Sequence, residues 1–328
     1  FYDPQMVQVN PGLLMHLFRQ AAHYRAHFHH ETGQTVRNSL HLFTTSWITE
    51  PTVVEQFFEI LLTPDMAFPV LKVMLETCFL ETFIPELAPL RYRVQHDAYH
   101  LYTVDEHLLR TVREVHILLS GEVPDVFPSE FSMGWIQGQL PDKRVLLLAA
   151  LIHDVGKGQG HCHAQRGARM AVDIGTRLGL SENDLFFLVF LVDQHLVLAE
   201  TALKRDLAEE KPVEECAMNI GNLQRLVALY VLTVADSRAT GPQVYTLWRR
   251  ALIIELGTKV KHLLEQREWQ EEDVSRQVQA VKSDVLSLLQ FDPVQDQVMP
   301  WLEKLSVRYM LTQSPESIVG HFFLEHDF

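Results

Sequence analysis

Apolar positions recur at helical spacing along most of the chain. Leu13, Leu14, Leu17, Phe18 and Ala21 form one stripe, with Pro11 near the helix start. Val54, Phe57, Phe58, Leu61 and Leu62 form a second, which stops before Pro64. Residues 69–80 predict another apolar helix, closed by Pro85 and Pro89. Residues 145–152 and 185–192 are apolar on every side, the pattern of helices buried all round. Residues 223–235 predict a third buried helix, which runs into Asp236. Val274, Val278, Val281, Val285 and Leu288 advance by four and three, with acidic residues 271–273 at the expected N-terminal end. Strand-like alternation is scarce, and residues 90–94 are its best example. The predicted class is all-α. Glycine- and proline-bearing loops are expected at 121–128, 138–142, 156–160, 179–183 and 240–242.

Composition narrows the class. The chain has 328 residues, 47% of them hydrophobic, which is ample for a large core. Its formal net charge of −14 lacks the basic footprint of nucleic-acid binding and opposes docking on an anionic membrane. The longest apolar runs fall short of the roughly 18 residues of a membrane span. No secretory signal opens the sequence, and a first residue Phe1 leads us to expect a fragment. Cys78, Cys162 and Cys216 are too few and too scattered for a disulfide framework, which points to reduced thiols and a cytoplasmic protein. The loose run His23, His27, His29, His30 reads as a solvated helix end.

Chemistry concentrates where apolar helices end. The run 145–152 is followed by His153-Asp154 and then Val155-Gly156-Lys157-Gly158. Buried polar groups at such an end are costly unless satisfied, and a divalent cation would satisfy them. Context matters, because His-Asp occurs three times, and only this copy follows a buried helix. Thr103-Val-Asp-Glu106 reads as a capping box, which puts His107 in the first turn of a helix whose apolar face is Val104, Leu108, Val112 and Val115. His195 follows the second apolar run, and His163 follows the glycine-rich turn. Asp236 sits where the helix dipole disfavours an acid, which suggests a nearby cation. Taken singly, each has an ordinary reading as a core histidine, a helix-end lysine, or an Asp236–Arg238 pair. Together they form a plausible shell for one or two divalent metals.

The order His107, His153-Asp154, Asp236 resembles the HD superfamily of metal-dependent phosphohydrolases. Four segments are more closely similar to the bifunctional PII uridylyltransferase/uridylyl-removing enzymes: 95–107, His153 to Gly158, His195 to Asp206, and 233–242. The first 90 residues resemble that family's helical connector, and 308–321 the stretch before its regulatory domains. The resemblance implies a helical HD-domain phosphohydrolase at 86–255, flanked by helical segments at 1–85 and 256–328. Where the family has Gly-Gly-Asp-His, this chain has Gly160-His-Cys-His163, so His163 becomes the match and His161 is extra. The family's nucleotidyltransferase and glutamine-sensing domains are not found, so neither of those activities is expected.

Carried over residue by residue, the resemblance implies removal of UMP from a uridylylated tyrosine of PII. His107, His153, Asp154 and Asp236 would hold one metal, while His163 and His195 would complete a second site or bind phosphate. Asp154 could bridge two metals or orient the attacking water. Lys157 and Arg238 could neutralise phosphoryl oxygens, and Lys204 and Arg205 could face phosphate or the acidic partner. The resemblance favours manganese; magnesium, iron and zinc also suit such ligands. Two alternatives stay open: an HD hydrolase of a free nucleotide or cyclic dinucleotide, and a non-catalytic helical module held by metal.

Overall fold

The apolar run after Lys143 becomes the hub of the fold in a computed structural model of the chain. The structure describes residues 4–94, 101–140, 142–158, 160, 162–241, 243–289 and 295–325. The expected motif residues 95–100, His161 and Pro242 therefore lie outside the described residues. We label the helices that build or support the site as α1 (Leu13–Tyr24), α2 (Pro51–Leu62), α3 (Pro64–Glu76), α4 (Val104–Ser120) and α5 (Arg144–Ile152). They continue as α6 (His163–Arg177), α7 (Glu182–Gln194), α8 (Val197–Lys204), α9 (Leu223–Thr240) and α10 (Leu247–Leu288). The class is all-α, and no strand occurs among the described residues. The candidate strand at 90–94 is instead the end of a 3-10 turn and an irregular run.

Two compact units divide the chain, Phe1–Lys261 and His262–Phe328. In the first, α5 is apolar all round, and every residue from Val145 to Ile152 is buried. It packs against α2, α4, α7 and α9. α4 lies between α3, α5 and α9, and α6 lies along α7. Burial of α5 from all sides is strongly stabilising, since each fully buried Leu or Val side chain contributes about 1.5–3 kcal/mol. The second unit has its own core of Val285, Leu289, Val298, Trp301, Leu302, Met310, Ile318 and Phe322.

Some elements differ from their sequence reading. α7 is buried on one face only, through Leu188, Leu191 and Val192, while Phe186 is exposed. The stretch Glu182–Lys204, which holds α7 and α8, does have the length and apolar composition of a membrane span. Here it bends at His195-Leu196 and packs against α9. Residues 69–80 divide between α3, which carries Pro69 inside it, and a short helix Phe79–Phe83. The acidic residues 271–273 lie in the middle of the 42-residue α10 rather than at a helix start. His23, His27, His29 and His30 are all exposed.

Candidate metal centre

Four helix ends converge on one cluster. His107 projects from the first turn of α4, with its backbone N–H bonded to Thr103 O. Thr103 stands at the N-cap, but its side chain makes no capping bond. Glu106 pairs with Arg110, and Asp105 accepts the Tyr92 backbone N–H at 2.9 Å. The capping box is thus replaced by a staple between α4 and the preceding segment. His153 and Asp154 leave the end of α5, His195 the end of α7, and Asp236 the last turns of α9.

The approach of a fifth helix, α6, depends on glycine. A Cβ on Gly156 would lie 2.2 Å from His163 O and 2.6 Å from Gly167 N. Only a bare Cα lets the turn after Asp154 lie against the start of α6. Positive φ at Gly158, Gly160 and Cys162 then turns the chain back, so that His163 opens α6 facing Asp154.

The result is two triads, His107/His153/Asp236 and Asp154/His163/His195. His107 Nε2 is 3.1 Å from Asp236 Oδ1 and 3.3 Å from His153 Nε2. Asp154 stands between the triads. Its Oδ2 lies 3.4 Å from His153 Nε2, and its Oδ1 lies 3.4 Å from His163 Nε2 and 3.7 Å from His195 Nε2. Lys157 Nζ binds Asp154 Oδ2 at 2.6 Å. The side chains of His107, His153, Asp154 and His195 are at most 3% exposed, whereas Asp236 and His163 reach 23% and 28%. The first four form the floor and the last two the mouth.

The donor chemistry fits a divalent cation. The Nδ1–H groups of His153 and His195 donate to Ala150 O at 3.0 Å and Val192 O at 2.7 Å. That fixes the tautomer whose Nε2 lone pair points into the cluster. The Nε2 atoms of His163 and His195 are buried and have no hydrogen-bond partner. Buried nitrogens left this way are costly in an apolar interior and suit a metal ion.

Electrostatics agree. Burial opposes charge on Asp154, but His153, Lys157 and His195 hold it well below the usual carboxylate range. Burial likewise opposes charge on Asp236, and hydrogen bonds from His107 and His153 draw it well down. Burial disfavours the His153 cation, but Asp154 and Asp236 outweigh it and raise that ring to about 10. Burial and the charge on His153 lower His195 to about 4, and burial lowers His163. Without a metal, the proton shared with the carboxylates rests on His153, while His195 stays a neutral donor.

Not every residue singled out in the sequence reaches the cluster. Arg238 Nε donates to Glu114 Oε2 at 2.7 Å, a bridge between α9 and α4. Lys204 pairs with Glu200 on the surface, and Arg205 is exposed. None of these three is among the described residues lining the pocket of about 340 Å³ beside the cluster, which are Arg93, Val94, Val104, Lys157, Gly158, Gly160 and His163. Sequence reasoning missed Glu114 and Arg93. Glu114 carried a signal, since an acid stands seven residues after His107 on a largely buried helix.

Residues 104–237 match a family profile described as HD domain. The chain is 32% identical over 292 residues to the bifunctional uridylyltransferase/uridylyl-removing enzyme of Methylococcus capsulatus, covering 88% of this chain and 33% of that protein. It is 35% identical over 253 residues to the enzyme of the same name from Rhodopseudomonas palustris, covering 76% of this chain and 27% of that protein. The match to that of Pseudomonas savastanoi pv. phaseolicola is 31% over 294 residues, covering 89% and 32%. The chain thus spans about a third or less of the length of these relatives.

Proposed function

We propose that the chain, whose residues 104–237 match the HD domain profile, is a metal-dependent phosphohydrolase of that type and removes UMP from the uridylylated tyrosine of a PII protein. The observation that carries the reading is the pair of His/carboxylate triads with Asp154 between them. The relatives' name, uridylyl-removing enzyme, supplies the substrate class.

His107, His153, Asp154 and Asp236 would hold one divalent ion. His163 and His195, with the second oxygen of Asp154, would hold another or meet the phosphate. Manganese is the first ion to test, magnesium the second; iron and zinc also suit mixed imidazole and carboxylate donors. Such an ion supplies a nucleophilic water at neutral pH and a sink for charge on the phosphoryl oxygens. Lys157 keeps Asp154 ionised and oriented through its 2.6 Å contact. The carbonyls of Ala150 and Val192 fix the rings of His153 and His195 before substrate arrives. Arg238 enters as the partner of Glu114, tying Asp236's helix to His107's helix. A tyrosine phenolate leaves with a pKa of about 10, so little protonation of the leaving group is needed.

The test is to incubate the purified chain with uridylylated PII and manganese and weigh PII by mass spectrometry, with Asp154→Asn as control. Loss of one UMP per PII subunit, absent in the control, is the expected result. No loss from PII together with turnover of a free nucleotide would assign the site to a different phosphoester.

A further inference from the structure

The pocket beside the cluster contains a cation that the reading above does not use. Arg93 follows the 3-10 turn Pro85–Leu90, and its backbone is held at both ends. Its N–H donates to Leu90 O at 3.0 Å, and its carbonyl accepts the Val104 N–H at 2.9 Å. The Asp105 carboxylate holds the neighbouring Tyr92 N–H. Arg93 is thereby stapled to the first turn of the helix that carries His107.

Its guanidinium rests on the bare Cα of Gly158. A Cβ there would lie 2.4 Å from Arg93 Nη1 and 2.5 Å from Cζ. Gly158 also has φ +97°, a conformation that side chains disfavour. Lys157, the other cation lining the pocket, is committed to Asp154. Among the described residues no carboxylate pairs with Arg93. A guanidinium on a fixed backbone, seated over a glycine and lining the pocket beside the metal cluster, is suited to bidentate binding of a phosphoryl group.

We infer that Arg93, seated on Gly158, binds the anionic phosphoryl oxygens of the nucleoside monophosphate at the mouth of the metal centre. This rests on the proposed phosphohydrolase function. It assigns Arg93 as a substrate-binding residue and Gly158 as the residue that positions it.

The test is calorimetric titration of UMP, and separately of inorganic phosphate, into the manganese-loaded chain. Parallel titrations of manganese and thermal midpoints show whether each variant is folded and metal-competent. Arg93→Ala is expected to weaken UMP binding tenfold or more with manganese affinity unchanged, and Arg93→Lys to recover part of the loss. Gly158→Ala, which keeps Arg93 but evicts it, should weaken UMP similarly, and the double variant should be no worse than either single one. UMP affinity in Arg93→Ala equal to that of the parent overturns the inference and leaves the hydrolase reading standing. A parent chain that binds manganese but neither UMP nor phosphate, and hydrolyses no phosphodiester, overturns both.

Discussion

At the scale of single residues, His153 links proton and metal. Its ring is raised from 6.5 to about 10 by Asp154 and Asp236 against the opposing effect of burial. The folded metal-free protein therefore keeps a proton that the unfolded chain releases near pH 6.5. The stabilisation is complete below that pH and is lost as pH rises through 10. We expect the thermal midpoint of the metal-free chain to fall between pH 6.5 and 10, and this slope to be absent in His153→Asn. Metal must displace the same proton, so manganese affinity should rise with pH up to about tenfold per unit below pH 10. Calorimetry in buffers of different ionisation enthalpy would report the released proton, and equal enthalpies across buffers would refute the assignment. His195 is already neutral, so its truncation tests donation directly. His195→Ala should cost more metal affinity than the roughly 10–100-fold typical of a group that only orients a ligand.

At the scale of elements, the centre exists because a turn and a helix touch. Gly156→Ala would put a methyl 2.2 Å from His163 O, so α6 must move and take His163 with it. We expect destabilisation of about 1–3 kcal/mol, the usual cost of overpacking, together with weakened metal binding. Gly134→Ala is the matched control. Nothing lies within 4 Å of a Cβ there, and the residue is inside the helix Met133–Gln139. That change should be neutral or stabilise by about 0.4–1 kcal/mol in a denaturant titration. Elements also explain what was readable in the sequence. His107, His153, Asp154, His195 and Asp236 were legible because each interrupts or ends an apolar helical pattern, where a polar group needs a reason. The helical class was legible from the same periodicity. Arg93 was not, because an exposed arginine in an irregular run has no pattern to violate, and only the tertiary seat on Gly158 gives it meaning. The one-sided burial of α7 was hidden too, since Phe186 and Phe190 are as apolar as the residues they adjoin. Phe190 instead lies under the Arg225 guanidinium, 4.6 Å from ring centroid to Cζ.

At the scale of the whole molecule, every residue of the metal centre lies in the unit Phe1–Lys261, while His262–Phe328 is built around a separate apolar core. A ligand stabilises only the cooperative unit that binds it, by an amount set by its concentration relative to its dissociation constant. Manganese at about 100 times that constant should therefore add about 2.7 kcal/mol to the first unit. The second unit has no share in that free energy unless the two unfold together. In scanning calorimetry we expect two transitions, of which only one moves when manganese replaces a chelator. The moving transition can be identified independently. Asp154→Asn should abolish its shift, whereas Trp301→Ala, which empties part of the second core, should lower the other transition and leave the metal-induced shift intact. A single transition that moves as a whole would show that the two cores unfold as one cooperative structure, and stability changes in either unit would then reach the metal centre.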